Sequence, residues 1–182
     1  MVLPAEMRAF YAECNGLFLE WGVAGSERRE RTPAFSYPDY GQPVGCINLL
    51  PVNRAMSTGW EADGHVNEIQ DDHWISLYGA LPEPRPVVGS VCFDNFSKYN
   101  HADLILGPEP RVVVSTDHGA DMDSSDHTDF ANYLDATLSM YGVCRYKHAF
   151  GIGWSRRSAP APRWTRRPTL DEVLALARED DA

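Results

Sequence analysis

Six short apolar runs, most of them closed by a turn residue, stand between two stretches with helical spacing. The runs are Leu17–Val23, Val44–Leu50, Trp74–Tyr78, Val87–Phe93, Ala102–Leu106 and Arg111–Ser115. Gly79 follows the third, Pro51 the second, and Gly107-Pro108-Glu109-Pro110 separates the last two closely. Runs this short, broken by Gly and Pro, read as strands, and short links between neighbours favour antiparallel pairing. The flanking stretches have a different period. In the first, Met7, Phe10, Tyr11 and Cys14 recur at three-to-four spacing behind Pro4, and Asn15-Gly16 stops them. In the second, Phe130, Tyr133, Leu134, Thr137, Leu138 and Tyr141 form one stripe ending at Gly142. Helix, then strands, then helix is the order of an α+β fold. We therefore expect a mostly antiparallel sheet of about five to six strands flanked by helices, not a doubly wound one.

The remaining segments set the domain plan. Residues 24–43 combine a charged run, Glu27 to Arg31, with three prolines and read as a loop. Gly151 to Pro168 is rich in Arg, Pro, Ser and Trp and reads as an extended connector. Thr169 with Glu172 three residues later is a capping-box signature before Val173, Leu174 and Leu176, so a last helix is expected there. The plan is a domain over residues 1–144, then a basic Arg/Trp/Pro connector and C-terminal helix over 145–182 packing on it. A chain of 182 residues suits this size. No apolar run approaches the roughly 18 residues that span a bilayer. Met1 to Glu6 lacks the basic start and apolar stretch of a signal peptide, so a cytoplasmic location is expected.

Charge is the second constraint. The chain carries a net −10, but residues 1–135 hold 21 acidic against 8 basic side chains, a net of −13. Residues 136–170 hold no Asp or Glu at all, while carrying Arg145, Lys147, Arg156, Arg157, Arg163, Arg166 and Arg167. An acidic body repels phosphate, which argues against nucleic acid as the main ligand. It complements a basic protein surface, although solubility alone also accounts for net charge. The Arg/Trp segment with Trp154 and Trp164 has the composition of a base-stacking surface. Given the charge of the body, docking back onto it is the preferred reading.

No common catalytic motif is present: no G-x-S-x-G, no phosphate-binding glycine loop, and no zinc-spaced histidine pair among His65, His73, His101, His118, His127 and His148. Cys14, Cys46, Cys92 and Cys144 are spread out beside apolar neighbours and read as reduced core cysteines. No cofactor and no resident metal are expected. The dense polar cluster is 117–129, with Asp117, His118, Asp121, Asp123, Asp126, His127 and Asp129. Its spacing fails the EF-hand test, since position 12 counted from Asp117 is Thr128. The plainer account is a solvated loop that caps the following helix and favours its dipole. Partner contact is the next, and a metal-dependent enzyme using Asp117, His118, Asp121, Asp123 and His127 is the third. A second acidic stretch holds Glu68, Asp71 and Asp72. If the acidic surface binds a partner, the candidate contacts are Asp117, Asp121, Asp123, Asp126, Glu68, Asp71 and Asp72.

Leu3-Pro4-Ala5-Glu6-Met7-Arg8-Ala9-Phe10-Tyr11-Ala12-Glu13-Cys14-Asn15-Gly16-Leu17 is similar to the Leu-Pro, amphipathic helix, Asn-Gly element of the SUKH superfamily. Ala102 to Leu106 and Val112 to Thr116 resemble its final strands. Asp129-Phe130-Ala131-Asn132-Tyr133-Leu134 resembles the start of its last domain helix. The resemblance covers residues 3 to 141, with the middle alike only in outline. Members usually carry a helix before the Leu-Pro element, whereas this chain begins almost at it, and residues 24–43 and those beyond Gly142 are additions. The resemblance implies an α+β fold and a non-catalytic protein-binding role. Bacterial members commonly neutralise a cognate toxin, often a nuclease, and fungal members act as regulatory hubs. The expected function is therefore an immunity protein with an acidic surface for a basic toxin; the alternative is a regulatory or assembly adaptor with several partners.

Overall fold

The computed structural model describes residues 3–21, 34–35, 45–56, 66–67, 75, 78–81, 83–84, 89–96, 101–115, 127–142 and 169–172. They show an α+β fold. Its strands are β1 (Leu17–Trp21), β2 (Gly45–Leu49), β3 (Val66–Asn67), β4 (Ser90–Asn95), β5 (His101–Ile105), β6 (Arg111–Ser115) and β7 (His127–Thr128), and its helices are α1 (Ala5–Glu13), α2 (Val52–Ala55) and α3 (Phe130–Ser139). The strands run β1-β2-β4-β5-β6-β7 across one sheet, with β3 also on β4, and every ladder is antiparallel. β1, β2, β4, β5 and β6 form its body; β3 and β7 are two-residue strands, β3 on the inner strand β4 and β7 at the edge beside β6.

Alternation along the strands sorts the side chains to two faces. Ile47, Leu49, Val91, Phe93, Ala102, Leu104, Val112 and Val114 belong to the main core, with Met7 of α1 and Phe130, Tyr133 and Ala136 of α3. Its centre is aromatic. Phe93 meets Phe130 and Tyr133 edge-on at 5.5 and 5.3 Å between ring centroids, and Phe10 meets Phe130 at 5.8 Å. Edge-to-face pairs add about 0.5–1.5 kcal/mol each to the area they bury. On the opposite face, Ile105 and Val113 pack with Tyr78 and Leu81.

That second layer corrects one expectation. Trp74–Tyr78 reads as a strand, but Ile75 and Tyr78 are helical, and the Gly79 N–H donates to the Ile75 carbonyl at 2.7 Å. Gly79 follows at φ +79°, the left-handed stop of a helical turn. An apolar run of five residues fits a helical turn as well as a strand. The turn lays the Tyr78 ring over Gly107, where a Cβ would come within 2.2 Å of it, and brings its hydroxyl to the Glu109 carbonyl at 2.8 Å.

The helix ends are as the sequence implies, with refinements. Asp129 caps α3 by accepting from the Asn132 N–H at 2.7 Å. α3 closes in a Schellman motif: Gly142 N–H donates to Thr137 C=O at 2.9 Å and Tyr141 N–H to Leu138 C=O at 3.2 Å. Tyr141 itself takes the left-handed conformation at φ 54°. Its carbonyl accepts from Trp21 Nε1 at 2.8 Å, which fastens the helix end to β1. The buried stripe of α3 is Phe130, Tyr133, Ala136, Thr137 and Met140, whereas Leu138 faces outward. Asn15-Gly16 ends α1 and also holds α2, through Asn15 Oδ1 accepting from the Val52 N–H at 3.2 Å. Thr169 and Glu172 make both bonds of the capping box, Thr169 N–H to Glu172 Oε2 at 2.8 Å and Glu172 N–H to Thr169 Oγ1 at 3.4 Å. Cys46 and Cys92 are buried and Cys14 half-buried, none of the three in a disulfide. Cys144 lies outside the described residues. No helix among the described residues is long and apolar enough to cross a membrane.

Candidate functional site

All seven candidate partner-binding residues, Glu68, Asp71, Asp72, Asp117, Asp121, Asp123 and Asp126, lie outside the described residues. Their roots in the fold do not. Residues 68–72 follow β3, whose Asn67 pairs with Ser90 at the start of β4. Ser90 pairs in turn with Ile105, and Ile105 with Arg111. Residues 116–126 follow Ser115, which pairs with His101, and His101 pairs with Asn95 at the far end of β4. Asn67 and Ser115, the described residues just before the two acidic stretches, therefore lie at opposite ends of the sheet, separated by strands of five to six residues, or roughly 13–17 Å. Of the 117–129 cluster, Asp129 takes the helix-capping role.

The polar groups that the fold does place converge on β4 and β5, and a β-bulge organises them. Cys92 pairs with Asp103 and Asp94 with Ala102, leaving Phe93 as the extra residue. Without the bulge, Asp94 would face away from Phe93; with it, both turn toward α3. Asp94 is wholly buried there. Its Oδ2 accepts from the Tyr133 hydroxyl at 2.6 Å and its Oδ1 from the Asn48 N–H at 3.0 Å. Asn48 Nδ2 donates onward to the Asn95 carbonyl at 2.7 Å. Nearby, the Tyr11 hydroxyl donates to the Leu50 carbonyl at 2.8 Å. Burial first, then the charge of Asp94, pushes the Tyr11 phenol well above its ordinary range, so it stays a neutral donor.

On the other face, Cys92 Sγ donates to Asn95 Oδ1 at 3.1 Å. Beside them His101 Nε2 stands 3.1 Å from Asp103 Oδ2, with side chains 27% and 3% exposed. Burial works to lower the His101 pKa, but the hydrogen bond and charge of Asp103 together outweigh it, and the net shift is upward. Further along the face, Arg111 lies over the Tyr78 ring at 4.7 Å and reaches Glu109 at 3.9 Å. Burial there pushes the Tyr78 phenol up to about 12, against the opposing pull of Arg111.

Reading the sequence missed the His101–Asp103 pair. The signal for it is the His-x-Asp spacing inside an apolar strand, which puts both side chains on one face. Among the described residues, no group of three or more His, Cys, Asp or Glu is placed to hold a metal ion. The described polar groups mostly bond one another within the fold. No protein-family model, curated protein or solved structure matches the chain.

Proposed function

We propose that the chain is a non-catalytic protein-binding domain of the cytoplasm that uses an acidic surface to hold a basic partner, in the manner of an immunity protein neutralising a toxin. The observation that carries this reading is the charge segregation: a net of −13 over residues 1–135, followed by a stretch to residue 170 without a single acid. Complementary potential of this kind raises association rates and selects partners of opposite sign. Three buried or capping acids, Asp94, Asp103 and Asp129, have partners inside the fold. The recognition role is assigned to Asp117, Asp121, Asp123, Asp126, Glu68, Asp71 and Asp72. The α+β fold that the SUKH resemblance implies is the class observed, which supports the reading at that level only.

The test is affinity capture from the source cells at low and moderate salt, with mass spectrometry of the retained proteins. The reading predicts one dominant basic protein, released as salt rises and rebinding in purified form with fixed stoichiometry. Several unrelated partners favour the adaptor reading. Capture that is indifferent to salt removes the electrostatic basis of the proposal.

A further inference from the structure

We draw no further inference here: the strongest candidate, the apolar patch on the outward side of α3 where Leu138 stands exposed one turn after the half-buried Leu134, carries nothing because nothing in the structure shows what covers it.

Discussion

Asp94 and Asp103 lie on neighbouring strands, equally deep, on opposite faces of one sheet. Toward α3, Asp94 is held by a phenol and a backbone N–H. Away from α3, Asp103 is held by an imidazole. Burial is common to both, and the donors named on each side differ: a phenol and a backbone N–H on one face, an imidazole on the other. Asp94 belongs to the frame that sets the β4 bulge against α3, and Asp103 to the face turned away from it.

Breaking the side toward α3 costs most. Asp94→Ala strands two buried donors, Tyr133 Oη and the Asn48 N–H, and is expected to destabilise by about 3 kcal/mol in denaturant unfolding. A loss within about 1 kcal/mol of zero would mean that the two donors find other acceptors. Tyr133→Phe removes one bond to the same carboxylate and is expected to cost about 2 kcal/mol. An exposed acid sharpens the scale: Asp129→Ala removes the N-cap of α3 and is expected to cost about 1 kcal/mol. A cost as large as that of Asp94→Ala would mean that burial is not what separates these residues.

Parts of this arrangement are legible in the sequence. β6 has the bounds that its Val-rich run implies, α3 starts at the Asp-Phe junction, and the Thr169/Glu172 box closes as its spacing requires. These are local signals, carried by turn residues, caps and period. The bulge is not local. Strict alternation through Val91-Cys92-Phe93-Asp94 puts Asp94 on the far face from Phe93, and only the register against β5 shows that both turn inward. The Ile75–Tyr78 turn was hidden for a related reason, because a short apolar run has no period long enough to separate a turn from a strand. His101 and Asp103 stand two apart in the sequence but go unread as a pair, because their burial depends on β4 and β6 closing over them. The acidic stretches read as candidate contacts, and the positions of Asn67 and Ser115 before them at opposite ends of the sheet emerge only from strand register.

The same comparison extends to recognition. Acids that hold the fold and acids that meet a partner are expected to be different sets, separable by mutation. The most direct measurement is the double variant Asp121→Lys/Asp123→Lys, followed both by capture of the basic partner at low salt and by thermal melting. The account predicts that capture weakens by at least tenfold, about 1.4 kcal/mol, while the melting temperature stays within a degree or two of the wild type. Undiminished capture would contradict the acidic recognition surface. A melting temperature that falls as far as in Asp94→Ala would show that these residues serve the fold instead.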